Sequence, residues 1–270
     1  MWQYVKAKLG RFPILWANNF EKWFDQQRGS GDILPGDRRF MLPDSGSGNR
    51  PFDGCSLESW TAAFDGGCFA QRDGPGTLDN LVYNDEATWV YRVNTMLDAA
   101  RHNLRVAAMT GSAGCQSPLQ TYLPPPIRLQ LDTLHHASYL MAVRQGAGAT
   151  TGPLLGTSMF FAPKGTGMSV GKLWPPYTWD IGTPLIPTPR NFSVAAFHSN
   201  TPGVYVRYFS NAVSVVCPGN KDAEKATVLL HGPYQDLLTG ENNIFNVKMR
   251  AHTGRVLMRH ASGYIPVVTG

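Results

Sequence analysis

Hydrophobic positions follow two rules along this chain, and the rule changes near residue 183. Upstream, apolar residues recur every three or four positions or stand in short unbroken runs, the marks of amphipathic helices and of strands buried on both faces. Downstream they alternate with polar residues, as strands with one buried face do. In the upstream part, Trp2, Val5 and Leu9 have helical spacing and Gly10 ends the segment, after which residues 12–17 read as a short apolar strand closed by Asn18 and Asn19. Residues 54–57 read as a second strand with Glu58 at its tip, residues 104–109 as a third and residues 157–161 as a fourth. Asn84 or Asp85 caps a helix reaching about Asn103, with Trp89, Val93, Met96 and Ala100 on one side. Prolines 124–126 open another, on which Ile127, Leu131, Leu134 and Met141 share a face.

Helices and strands in this order favour a parallel sheet, because each crossover returns the chain to the same edge. Four such strands are half of a closed barrel of eight, so residues 1–183 are expected to form an α/β unit, a partial (half) (β/α)8-type barrel with parallel strands. Residues 184–270 are expected to form an antiparallel β-sandwich domain from strands at 204–209, 212–216, 226–230, 244–249 and 254–258. Ser210-Asn211 and His252-Thr253-Gly254 read as hairpin turns. Residues 26–52, rich in Gly, Pro, Asp, Ser and Arg, form a long aperiodic loop of the kind that covers or builds a site.

Composition narrows the class without naming a function. With 270 residues, 43% hydrophobic and 16% charged, 28 Gly and 20 Pro, the chain is globular with many ordered loops. Its +5 charge is scattered and never becomes a basic run, so nucleic acid is not an expected partner. No segment approaches the roughly 18 uninterrupted apolar residues of a membrane helix, and residues 1–10 lack the apolar core and cleavage site of a secretory signal. Cys55, Cys68, Cys115 and Cys217 have no C-x-x-C spacing, so no zinc or redox site is indicated; Cys55 and Cys68 either close a loop in an oxidising compartment or stay as free thiols. His135-His136 lies mid-helix, where adjacent side chains diverge by about 100° and do not share a metal, which leaves a surface or core-edge pair. Ser112, Cys115 and His102 form no nucleophile elbow, and Gly146, Gly148 and Gly152 form no phosphate loop; neither metal nor cofactor is expected.

Several short motifs resemble a loosely defined group of glycoside hydrolases in which a TIM-type barrel precedes a small C-terminal β domain. They are Asp180-Ile181-Gly182-Thr183-Pro184, Val206-Arg207-Tyr208-Phe209-Ser210-Asn211, Tyr234-Gln235-Asp236-Leu237-Leu238-Thr239-Gly240 and Gly254-Arg255-Val256-Leu257, with Ala17-Asn18-Asn19 and the Asp53-Gly54 strand upstream. The resemblance implies hydrolysis of an O-glycosyl bond, which needs one carboxyl group to give a proton and another to attack or to activate water. If the strands here match the last four of eight, Glu58 falls on the acid/base position, and the strand bearing the nucleophile precedes Met1. The chain then resembles the C-terminal half of a retaining enzyme.

Within that frame Glu58 is the candidate catalytic acid, with Trp60 and Phe64 as the apolar neighbours that raise a carboxyl pKa; the plain alternative is an exposed loop glutamate. Asn18 and Asn19 are candidate sugar contacts, since each amide offers donors and an acceptor, or else strand-capping turn residues. Trp60 and Trp174 are candidate stacking platforms for a pyranose, whereas Trp16 and Trp179 are assigned to packing and Asp53 to a turn. The expected partner is a carbohydrate. A non-catalytic glycan binder or pseudoenzyme that packs against another chain stands as the alternative. An open half-barrel edge implies either a homo-oligomer or a missing N-terminal half.

Overall fold

The structure is a computed structural model that describes residues 16–17, 54–57, 61–64, 81–101, 105–108, 125–143, 154–155, 176, 179–186, 193–219 and 226–259. Its two helices form where the sequence signals them. Helix α1, Glu86–Arg101, is capped by Asp85, whose Oδ1 accepts the Thr88 amide at 2.7 Å, and Glu86 adds a negative charge to the positive end of the helix dipole. Trp89, Val93, Met96 and Leu97 are its buried stripe. Helix α2, Pro125–Ala142, starts on a proline, which fits the first turn because that amide has no intrahelical acceptor. Every residue from 134 to 142 is buried, so the second half of this helix is covered all round. The Trp89 indole N–H donates to Ser138 Oγ at 2.8 Å and joins the two helices.

Helix α2 buries its apolar residues against a five-stranded antiparallel sheet, and α1 packs on α2 and reaches the same core through Trp89 against Tyr205. The strands of the sheet are Tyr205–Tyr208, Ala212–Cys217, Ala226–Gln235, Ile244–Met249 and Thr253–Arg259, the seventh to eleventh in chain order and labelled β7 to β11, arranged β10-β9-β11-β8-β7. Strand β8 shows why its six residues are all buried. Ala212, Ser214 and Val216 face α2, with Ser214 Oγ donating to the Ala137 carbonyl at 2.9 Å, while Val213, Val215 and Cys217 face the second core. Gly254 in β11 marks the closest approach. A Cβ there would stand 2.6 Å from Thr133 O and 2.8 Å from both Ala137 Cβ and Leu134 Cα, so only glycine lets α2 lie this near the strand.

The second core forms because the sheet folds over on itself. Strand β9 pairs with β11 only through Tyr234 and Gln235, and its first half pairs with β10. Between these halves stands Gly232 at φ +113, and the β9–β10 register shifts between Ile244 and Asn246. The bend lays Val228, Leu230, Val247 and Met249 over Val213, Val215 and Leu257. At the β9–β10 turn, Asp236 accepts the Leu238 and Thr239 amides through Oδ1 and the Arg255 guanidinium through Oδ2, at 2.7 Å to Nη2. The junction segment 180–186 is zipped alongside β7: Leu185 N–H donates to Tyr208 O, Ser210 N–H to Thr183 O and Asn211 N–H to Ile181 O.

The remaining described strands are short. Trp16–Ala17 (β1), Gly54–Leu57 (β2), Arg105–Ala108 (β5) and Leu154–Leu155 (β6) form a parallel sheet in the order β1-β2-β5-β6, and Ala62–Phe64 (β3) pairs antiparallel with Leu81–Tyr83 (β4). The expected fourth strand at 157–161 lies outside the described residues.

The architecture corrects the expected half-barrel with a β-sandwich. In a βα barrel the crossover helix buries its stripe on the parallel sheet it connects. Here α2 seats Leu134 and Ala137 on β11 and β8, so the main core is two helices on an antiparallel sheet and crosses the boundary expected at residues 183/184. The C-terminal part is a single folded sheet, and its second core is closed by the sheet's own hairpin.

Candidate functional site

Glu58, Asn18, Asn19, Trp60 and Trp174, with Asp53, lie outside the described residues. The strands that precede them are described. Strands β1 and β2 are hydrogen-bonded parallel neighbours, with Trp16 opposite Gly54 and Ala17 opposite Cys55, and β2 pairs in turn with β5 from Gly54↔Arg105 to Leu57↔Ala108. Parallel neighbours finish on the same edge of a sheet. In sequence, Asn18 is the residue after β1 and Glu58 the residue after β2. Trp179, assigned to packing, lies half-buried against the helix–sheet core.

His135 and His136 are both buried, deeper than a surface or edge pair. Burial, and then the neighbouring His135, pull the His136 pKa down to about 3, so that imidazole is neutral at physiological pH. Among the described residues no three His, Cys, Asp or Glu side chains group to hold a metal ion. Glu86 is a half-buried carboxylate in the first turn of α1. Its Oε1 accepts the Tyr205 hydroxyl at 2.9 Å, and burial followed by this bond raises the Tyr205 pKa above its ordinary range. Trp89 and His198 flank the Tyr205 ring, at centroid distances of 4.7 and 5.1 Å. That cluster fastens the first turn of α1 to β7.

The described residues also enclose a groove of about 400 Å³ between the junction segment, a 3-10 turn at Val194–Phe197, β7 and the first half of β9. One wall is apolar: Leu185, Ile186, Val206, Val228 and Leu229. The Tyr208 and His231 rings meet there at 5.1 Å between centroids, tilted by 47°. Burial is the main cause that pushes the Tyr208 pKa up to about 12. The opposite rim is a rigid loop. His198 Nδ1 donates to Ser199 O at 2.8 Å, Thr201 N–H donates to Ser199 Oγ, and Thr201 Oγ1 donates to Thr227 O at 3.3 Å, tying the loop to β9.

Sequence reasoning did not single out His198, Asn200 or His231. A signal existed for His231 alone, because Thr227, Leu229 and His231 alternate outward along a strand whose inward residues are Val228 and Leu230. No family model matches the chain, nor does any curated protein or solved structure.

Proposed function

We propose that this chain is a glycoside-hydrolase-like protein that acts on or binds a carbohydrate, with Glu58 as the proton-donating acid and Asn18, Asn19, Trp60 and Trp174 as sugar contacts. The observation that supports this reading is the parallel pairing of β1 with β2, since Asn18 follows the one strand and Glu58 follows the other. The carboxyl edge of parallel strands is where α/β folds gather ligand contacts. Glu58 gives its proton to the glycosidic oxygen as the C–O bond breaks, and its carboxylate takes a proton back from the water that adds to the anomeric carbon; the amides of Asn18 and Asn19 pair with hydroxyls, and the indoles stack on the C–H face of the ring.

Turnover of nitrophenyl and methyl glycosides by the wild type and Glu58→Gln tests it. A nitrophenolate leaves with little help from an acid and a methoxide does not, so loss of the acid slows the methyl glycosides more, by about 10²–10⁴-fold. Equal turnover by Glu58→Gln removes that residue from the chemistry. A wild-type chain that neither turns over these substrates nor binds oligosaccharides on a glycan array overturns the carbohydrate reading altogether.

A further inference from the structure

The groove beside β7 has a chemistry that the strand-edge site does not use. Its volume of about 400 Å³ falls in the range of small-molecule sites. Among the described residues its wall contains no Asp, Glu or Lys, and the Arg207 guanidinium there donates to the carbonyls of Leu140, Met141 and Ile186. Among the described residues a cation would therefore meet no carboxylate in the wall, and an anion would meet no exposed cation, since Arg207 is 1% exposed. What the wall offers instead is an aliphatic floor, the half-buried Tyr208 ring, and exposed groups that both donate and accept, namely Asn200 and the two imidazoles.

Preorganisation is visible in the rim. A carbonyl only accepts, so the bond from His198 Nδ1 to Ser199 O puts the proton on Nδ1 and leaves Nε2 as an acceptor in the neutral ring. The edge-on packing of that ring on Tyr205 holds its plane, with 74° between the rings. The bond from Thr201 to Thr227 O fixes the distance between the two walls. An apolar face opposed by fixed neutral donors and acceptors matches a molecule with C–H groups on one side and hydroxyls around its edge.

We propose that this groove is a binding site for a neutral, polyhydroxylated ligand, a short saccharide, built from residues other than Glu58, Asn18, Asn19, Trp60 and Trp174. The choice of a saccharide among polyhydroxylated ligands rests on the carbohydrate reading above; the neutrality and the amphipathic shape rest on the groove itself.

The test is calorimetric titration of the full chain with cellotriose, maltotriose and chitotriose, and with trigalacturonate as the anionic contrast. At least one neutral trisaccharide binds and trigalacturonate binds more weakly. His231→Ala and Asn200→Ala, both at exposed positions, each weaken binding about 3- to 10-fold, the worth of one hydrogen bond. On saccharide addition the His198 and His231 imidazole proton resonances shift, a readout that a merely destabilised variant does not reproduce. Absence of binding by all three neutral sugars overturns the proposal, as does unchanged affinity in both groove variants. The two readings fail separately. Glu58→Gln that loses turnover but keeps trisaccharide affinity leaves both standing; affinity lost in Glu58→Gln and kept in the groove variants places binding at the strand edge and removes the groove site.

Discussion

Replacing Arg207 by methionine tests how α2 is held to the sheet. Arg207 in β7 is 1% exposed, and its Nη1 donates to the carbonyls of Leu140 and Met141 at 2.9 and 2.8 Å. Those carbonyls belong to the last turn of α2, where no amide follows to donate to them within the helix. Nη2 reaches Ile186 O at 3.3 Å, and the guanidinium lies 4.8 Å from the Phe197 ring centroid. Burial pulls its pKa down to about 10, which still leaves it charged at neutral pH. Methionine keeps much of the length and removes the charge. The change orphans two buried carbonyls at about 1–3 kcal/mol each, and it returns part of that by abolishing the desolvation of a buried cation. The net expectation is a loss of about 2–4 kcal/mol, because a carbonyl walled in by α2 and β7 regains no water. Urea unfolding followed by tryptophan fluorescence measures it, with Trp89 in the same core as reporter. Arg207→Lys should fall between, since one ammonium cannot present the fork that spans Leu140, Met141 and Ile186 together. If Arg207→Met unfolds within about 0.5 kcal/mol of the wild type, or Lys proves worse than Met, the helix end is not held by these bonds.

Two further perturbations probe the same core. Gly254→Val forces side-chain atoms against Thr133 O and Leu134 Cα, which are backbone and cannot swing aside, so a loss of about 1–3 kcal/mol or more is expected by chemical denaturation; tolerance would mean that α2 does not sit on β11. His136 has a folded pKa near 3 against 6.5 for the free side chain, so the unfolded chain takes up the proton first. Its contribution to stability is complete above about pH 6.5 and is lost progressively as pH falls toward 3, and His136→Gln should flatten that part of the pH–stability curve. A variant curve parallel to the wild type's across the window would show that His136 titrates normally in the fold.

Much of the local structure was readable from the chain, and the reasons are specific. Helix α1 carries its own cap in Asp85 and a full stripe from Trp89 to Met96, so local signals and tertiary burial agree. The expected strand at 244–249 matches β10, Ile244–Met249, because Ile244, Val247 and Met249 point inward around one irregularity. Strand β9 was legible only to Leu230. His231-Gly232-Pro233 reads as a terminator, whereas Gly232 at φ +113 bends the strand and lets it continue to Gln235. The β3–β4 hairpin was missed because Ala62, Ala63 and Phe64 lack β-branched alternation. Of the candidate site, the order of β1, β2 and β5 is described and the side chains proposed for chemistry are not. The groove was illegible because its polar residues come from a loop and a strand with no shared spacing, brought together only when β9 folds back.

The fold-class reading went wrong at α2, and the reason lies in what periodicity can report. A stripe at i, i+3 and i+7 says that one side of a helix is buried, and it is silent on which sheet does the burying. With strands before and after it, α2 reads as the crossover of a parallel unit. Yet the sequence from 134 to 142 is apolar or small at nearly every position, apart from the two histidines, and a helix buried all round has no single sheet to serve. Its polar atoms give the assignment that the stripe withholds. The carbonyls of Ala137, Leu140 and Met141 are met by Ser214 and Arg207, side chains of β8 and β7, which direct alternate polar residues toward the helix. A buried Arg and Ser within otherwise apolar strands therefore identify the face that receives a helix, because a strand packed only on another sheet would have no backbone carbonyls there to satisfy.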